Sequence, residues 1–274
     1  MAPPRVSAII PTYQRPADLR LALASVVAQT YPAEALEIIV VDDGSAEDGA
    51  ARVCAELGDR VRYLKKPNGG VSAARNHGMA AATGAYLALL DDDDEWRPAK
   101  IARQVELLTR RPEIGMVITD VERMDADRVG FEIFRRREFI PVDGWVLPHV
   151  LRNPALAPAS AMLRREVFTA TGGFDASLRT AEDLDFHLRV AARFQIAVIS
   201  EPLTRAMRGH QGLSALARRS PWRQRSAASS AASAFSSVAA RTCRPTAPIT
   251  PQAPRSACRP ARAWSPIACR RTST

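Results

Sequence analysis

From residue 5 to residue 120 the chain alternates short, strand-like and largely apolar runs with stretches whose apolar residues recur at helical spacing. The short runs are Val6 to Ile10, Glu37 to Val41, Val61 to Leu64, Ala85 to Leu90 and Gly115 to Thr119. A strand that is apolar at nearly every position must be covered on both faces, which is the habit of parallel sheets. The intervening segments are predicted helices. Asp18 to Ala28 places Leu19, Leu23, Val26 and Val27 on one face, and Ala46 to Leu57 has Ser45 as its N-cap. Ser72 to Ala82 is capped by Ser72 and stopped by Thr83-Gly84, and Pro98 to Thr109 carries proline in its first turn. Strand and helix in turn predict an α/β fold, a mostly parallel sheet with helices on both faces.

Residues 121–204 follow this rule less closely. Val129 to Ile140 mixes apolar and Arg-rich positions and reads either as a β-ribbon or as a mobile loop. Asp143 to Leu151 is a predicted short helix, and Ala161 to Val167 a segment passing back through the sheet. Glu182 to Phe194 is a predicted helix by the spacing of Leu184, Leu188 and Ala191, and Ile196 to Ile199 is the last predicted strand.

Charge divides the chain in two. The formal net charge is +9, yet no Asp or Glu follows Glu201, while 13 arginines and no lysine occur from Arg205 onward. The first 204 residues therefore hold 25 of the 38 basic residues against all 29 acidic ones. Beyond about Arg218 the chain is mostly Ser, Ala, Arg, Pro and Thr without hydrophobic periodicity. Such a stretch buries too little apolar surface to offset its ordering entropy. The expected organisation is a folded domain over 1–217, with parts 5–120 and 121–217, and a basic tail over 218–274 that is disordered or out of frame. A basic tail also leaves open a binder of nucleic acid or of an anionic membrane.

No apolar run approaches the roughly 20 residues that span a bilayer. Met1 to Arg5 leads directly into a strand-like run, so no signal peptide is expected and the expected location is cytoplasmic. Cys54, Cys243, Cys258 and Cys269 fit no zinc-site spacing.

In doubly wound sheets, ligands bind in the crevice outside the carboxyl ends of the strands. Three polar segments follow predicted strands here: Pro11-Thr12-Tyr13, Asp42-Asp43-Gly44-Ser45, and the run Asp91 to Asp94. Four adjacent carboxylates repel one another. The plain reading is a solvated acidic turn; a divalent cation bridging to a phosphate would make the run favourable, because hard cations take carboxylate oxygens. Asn68-Gly69-Gly70, ahead of a predicted helix, is either an ordinary turn or a phosphate-accepting approach to a helix N-terminus. No Gly-x-Gly-x-x-Gly follows the first strand, which argues against a dinucleotide-binding oxidoreductase.

Six pieces in order resemble the family 2 glycosyltransferases: Ile10-Pro11-Thr12-Tyr13, Val40 to Ser45, Asn68 to Asn76, Leu89 to Trp96, Gly172-Gly173-Phe174-Asp175, and Glu182-Asp183. The resemblance covers roughly residues 5–215. It implies a GT-A (Rossmann-like) fold and an inverting transfer from a nucleotide-diphospho-sugar, with a UDP-sugar favoured. The implied acceptor is a glycan or a lipid-linked molecule, in cell-envelope polysaccharide or glycolipid synthesis. Peripheral association with the inner face of the membrane goes with that expectation.

By the same resemblance, Asp43 bonds the nucleotide base, a role that suits an acceptor-only carboxylate. Pro11, Thr12 and Tyr13 pack beside it, with Tyr13 either stacked on the base or an ordinary buried tyrosine. Arg75 is either a diphosphate contact or a solvated surface arginine. Asp93 is implied as the ligand of Mg²⁺ or Mn²⁺ by its offset to Trp96-Arg97-Pro98, with Asp91 and Asp92 at the ribose or at water around the metal. Asp94 receives no role. Gly173 is implied on the acceptor side. Glu182 and Asp183 open a helix, where acidic residues suit the positive end in any case; the resemblance implies Asp183 as general base and Glu182 as a substrate-binding residue. His210, within Arg208 to Ser214, either touches the metal or diphosphate or is a loop histidine without a role. Two rivals remain: a nucleotide-sugar-binding remnant without turnover, and a basic-tail binder of membrane surfaces or, less expected, of nucleic acid.

Overall fold

Every residue of strand β1 (Val6–Thr12) is buried, and its side chains feed two separate cores. Val6, Ala8 and Ile10 join one hydrophobic cluster, while Ile9 joins the other. Successive strand side chains point to opposite faces, so an uninterrupted apolar strand needs a covering on each side. The first cluster is closed by α1 (Pro16–Val27), α2 (Gly49–Ala55) and α4 (Lys100–Arg110), through Leu19, Leu23, Val53, Ile101 and Leu108. The second is closed by α3 (Val71–Ala81), α5 (Leu147–Arg152), α6 (Arg165–Thr171) and α7 (Glu182–Ala191), through Met79, Val150, Val167 and Phe186. Each such aliphatic or aromatic side chain contributes about 1.5–3 kcal/mol on full burial. The computed structural model describes residues 2–153 and 157–208.

The remaining strands are β2 (Leu36–Asp42), β3 (Val61–Lys65), β4 (Tyr86–Leu89), β5 (Glu95–Trp96), β6 (Ile114–Met124), β7 (Gly130–Phe134), β8 (Met162–Arg164) and β9 (Gln195–Met207). They form one sheet in the order β3-β2-β1-β4-β8-β6-β9-β5, with β7 paired to β6. The first four strands in that order run parallel. Beyond β4 the sheet is mixed: β8 runs antiparallel between β4 and β6, and β9 then pairs parallel to β6.

Several local expectations are corrected. Helix α2 begins at Gly49, with Asp48 at the N-cap position. The Ser45 hydroxyl instead accepts the Gln14 N–H at 2.9 Å, tying two loops together. Helix α3 begins at Val71 behind Gly70, and Ser72 lies within its first turn with an Oγ that has no partner. Helix α4 begins at Lys100, two residues past Pro98. The Arg-rich segment resolves into strand β7, followed by a 3₁₀ turn at Arg136–Glu138. Strand β9 runs to Met207, far beyond Ile199. Its second half is invisible to hydropathy because charged pairs such as Arg205 with Glu122 and Glu95 hold it. Among the described residues no helix is long and apolar enough to cross a membrane. His210 and residues 218–274 lie outside the described residues.

Candidate functional site

Parallel register decides which polar groups meet at the carboxyl edge of the sheet. Ile9 stands beside Ile39 on one side and Leu89 on the other. Three residues further along, Thr12 falls beside Asp42, and the aspartate run leaves the end of β4 next to it. The Thr12 hydroxyl donates to Asp92 Oδ2 at 2.8 Å, across 80 residues of chain.

Of the neighbouring acids at the end of β2, Asp42 is structural. It accepts the Tyr63 hydroxyl at 2.7 Å and the Ser45 N–H at 2.8 Å. Asp43 faces the other way and organises the glycine-rich loop. Its oxygens accept the N–H groups of Gly69 at 3.0 Å and Gly70 at 2.7 Å, and the Lys66 ammonium sits 2.6 Å away. Gly70 carries φ +85°, a left-handed conformation that suits glycine, and it delivers the chain into the N-terminus of α3.

Among the described residues the aspartate run meets the guanidinium groups of Arg15 and Arg75. Arg15, from the β1–α1 loop, reaches Asp93 Oδ2 at 3.0 Å and Asp92 Oδ1 at 3.5 Å. Arg75, on α3, reaches Asp91 Oδ1 at 2.5 Å and Glu182 Oε1 at 3.4 Å, and lies 5.1 Å from the centre of the Phe174 ring. Arg75 is 4% exposed, which overturns the alternative of a solvated surface arginine. Burial pushes the Asp92 carboxyl up to about 7; Asp93 and Asp91 add to the shift, while the Thr12 hydroxyl and Arg15 oppose it. Asp94 turns away from the others and accepts the backbone N–H of Met207 at 2.9 Å.

Helix α7 brings the second acidic pair. Ala181, at its N-cap, adopts φ +61°, and Glu182 and Asp183 follow at once. Arg75 couples α7 to α3 through Glu182. Asn76 adds a second tie: its Nδ2 donates to the Phe174 carbonyl at 2.7 Å, and its Oδ1 accepts the Phe174 N–H at 2.8 Å. The Asp183 carboxylate accepts the Leu184 N–H at 2.8 Å. Burial pushes Asp183 above the usual carboxylate range; Asp91 adds to this, against the Leu184 N–H and Arg75.

A cleft of about 460 Å³ opens between these elements. Pro11, Thr12, Tyr13, Asp43, Arg75, Asp91, Asp92, Asp93 and Glu182 all line it. Asp183 and Gly173 are not among its lining residues. Gly173 instead packs on α3, in a left-handed conformation with φ +74°, where an added Cβ would lie 2.3 Å from Asn76 Oδ1. The cleft also takes in Arg15, which the sequence reading passed over. Its signal was a cation in the polar loop after the first strand, one residue before a helix-initiating proline.

The family model described as "Glycosyl transferase family 2" matches residues 7–170. An uncharacterized glycosyltransferase of Rickettsia felis is 32% identical over 200 residues, covering 68% of this chain and 31% of that one. One from Rickettsia bellii is 40% identical over 201 residues, covering 72% and 28%. The Escherichia coli K12 glycosyltransferase YibD, also uncharacterized, is 36% identical over 152 residues, covering 55% and 42%. This chain thus spans about a third or less of the length of the two Rickettsia relatives.

Among solved structures, Staphylococcus aureus TarS 1–349 in complex with UDP-GlcNAc matches with a TM-score of 0.63 at 19% identity, covering 77% of this chain and 60% of that one. The mannosyltransferase PcManGT from Pyrobaculum calidifontis, in complex with GDP-Man and Mn²⁺, gives 0.61 at 23% identity, covering 79% and 60%. These likenesses establish the fold as GT-A. With its family model spanning more than half of the 274 residues, the chain belongs to glycosyl transferase family 2.

Proposed function

We propose that this chain transfers a sugar from a nucleotide-diphospho-sugar, with a UDP-sugar favoured, to a hydroxyl of a glycan or lipid-linked acceptor, inverting the anomeric centre. The observation that carries the reading is one cleft lined by Asp43, the Tyr13 loop, the start of α3 and Asp91 to Asp93. An acceptor carboxylate and an exposed tyrosine suit a base and its ring face. A helix N-terminus beside arginines suits a diphosphate.

A divalent cation fits the aspartate run by the chemistry of the donors, which are hard carboxylate oxygens. The space between Asp92 and Asp93 already accommodates a positive charge, that of Arg15. Among the described residues no group of three or more His, Cys, Asp or Glu converges as a metal cage. Mg²⁺ and Mn²⁺ need none when one or two carboxylates and the substrate phosphates complete the shell. Asp93 would hold the cation with Asp91 and Asp92 in support. When bound, it would offset negative charge on the departing nucleoside diphosphate.

In this reading Asp183 takes the proton from the acceptor hydroxyl. The hydroxyl oxygen bonds to the anomeric carbon, and the bond to the nucleoside diphosphate breaks with its electron pair leaving on the phosphate oxygen. A carboxyl raised by burial is the stronger base, which supports Asp183 in that role. Arg75 bridges Asp91 and Glu182, which ties the donor side to the helix bearing the base. An envelope setting belongs to the same reading and rests on the family resemblance, and the division at residue 217 rests on the change of composition there.

Purified full-length protein incubated with a panel of nucleotide sugars and Mn²⁺ tests the proposal. At least one donor is expected to be bound and hydrolysed or transferred. Asp93→Ala is expected to abolish this, and Asp183→Asn to lose transfer by about 10²–10⁴-fold while still binding donor. No bound donor, together with no effect of Asp93→Ala, overturns the reading; unchanged turnover in Asp183→Asn removes that residue as base.

A further inference from the structure

Among the described residues two arginines pair with the aspartate run, and they are built differently. Arg75 is enclosed: its side chain is 5% exposed, pinned by Asp91 and Glu182 and set against the Phe174 ring. Arg15 is 35% exposed and, among the described residues, is held by Asp92 and Asp93, at 3.5 and 3.0 Å. The backbone beneath Arg15 is nonetheless fixed. Gln14 adopts φ +56°, its N–H is held by the Ser45 hydroxyl at 2.9 Å, and α1 starts at the next residue, Pro16. Arg15 thus combines an anchored main chain with a side chain that can swing within the cleft it lines.

We propose that Arg15 is a displaceable counter-ion of the aspartate run. It holds Asp92 and Asp93 while the cleft is empty, yields Asp93 to a divalent cation, and turns to the donor's diphosphate. The inference rests on the donor-site reading above and adds a role for a residue that the motifs leave unassigned. Its chemistry is simple. Arg15 sits on Asp93 Oδ2, and a divalent cation taking that oxygen competes with the guanidinium for its lone pairs and repels its like charge. Its planar fork matches phosphate oxygens, which a nucleoside diphosphate brings into the same space. A partly exposed ion pair is weak, so Arg15 can be displaced where Arg75 cannot.

Calorimetric titration of the full chain with Mn²⁺ alone, and with UDP in saturating Mn²⁺, reads the two halves separately. Arg15→Gln is expected to bind Mn²⁺ alone about two- to five-fold tighter, because a competing cation is gone. The same variant is expected to bind UDP with Mn²⁺ about ten-fold weaker, because a charged phosphate contact is gone. Arg15→Lys keeps the charge, so its Mn²⁺ affinity is expected to stay near the parent value while UDP affinity is partly restored. Opposite shifts in Arg15→Gln are the signature that a purely structural arginine would not produce. If the parent binds both ligands and Arg15→Gln matches it, or loses Mn²⁺ affinity, this proposal falls and the donor site stands. If the parent binds neither, both fall.

Discussion

The carboxyl of Asp94 accepts the backbone N–H of Met207 at 2.9 Å, joining the end of the aspartate run to the last residue of strand β9 across 113 residues of chain. Asp94 is 7% exposed, and burial pushes its carboxyl well above the ordinary value, with Asp93 and Asp91 adding to the shift. The fourth aspartate is therefore a tie between the aspartate run and the strand that leads to residue 208. Asp94→Ala leaves the Met207 N–H without its acceptor and is expected to destabilise the fold by about 1–3 kcal/mol. Asp94→Asn keeps a carbonyl oxygen at that place and is expected to recover most of the loss. Urea denaturation of the two variants checks this; equal losses would show that charge, rather than the hydrogen bond, matters at this position.

His187 is fully enclosed on α7, and neither ring nitrogen has a hydrogen-bond partner. Burial pushes it down to about 3, with Arg136, Arg75 and Arg189 adding to the effect. In the unfolded chain the imidazole protonates near 6.5. Below that pH the unfolded state binds the extra proton, so stability is lost as pH falls, by up to about 1.4 kcal/mol per pH unit until the folded imidazole itself protonates. His187→Leu removes this term. Urea midpoints at pH 8 and pH 5 are expected to fall less for the variant than for the parent, and an equal fall would assign the acid sensitivity to other groups.

Asp43 gathers three donors, from Gly69, Gly70 and Lys66. Asp43→Asn removes the charge opposite Lys66 and replaces one acceptor oxygen with a donor that faces N–H groups. The glycine-rich loop is expected to loosen at a cost of about 1–3 kcal/mol, with a parallel loss of UDP affinity. Thermal melts and UDP titration on the same variant separate the two effects.

Gly173 is needed for its backbone and for the space beside it. With φ +74° and Asn76 Oδ1 2.3 Å from an added Cβ, Gly173→Ala strains the turn and pushes on the Asn76–Phe174 pair. A loss of about 1–3 kcal/mol is expected in denaturant unfolding. Loss of turnover without any loss of stability would instead put the residue at the acceptor.

Legibility in the sequence followed the range of the interaction. The largely apolar strands Val6 to Ile10 and Ala85 to Leu90 and the apolar spacing in α1 and α7 were readable because hydrophobic periodicity is local. Helix starts were read less well. Ser45 and Ser72 have the chemistry of caps, but one hydroxyl is engaged by Gln14 and the other lies within the first turn of its helix, behind Gly70 at the N-cap. The second half of β9 carries charged residues whose partners lie on β5 and β6, so no pattern within residues 200–207 marks it as a strand.

The sequence by itself determined the fold class and the family: strands apolar on both faces demand helices on both sides, and the order of the motifs is a property of the chain alone. The tertiary structure decided which polar groups meet. That Thr12 reaches Asp92, that Arg15 reaches Asp92 and Asp93, that Arg75 joins Asp91 to Glu182, and that Asp94 belongs to Met207 all depend on strand register and helix placement. Such partners lie tens of residues apart, and a shift of one position along a strand would turn each side chain to the opposite face.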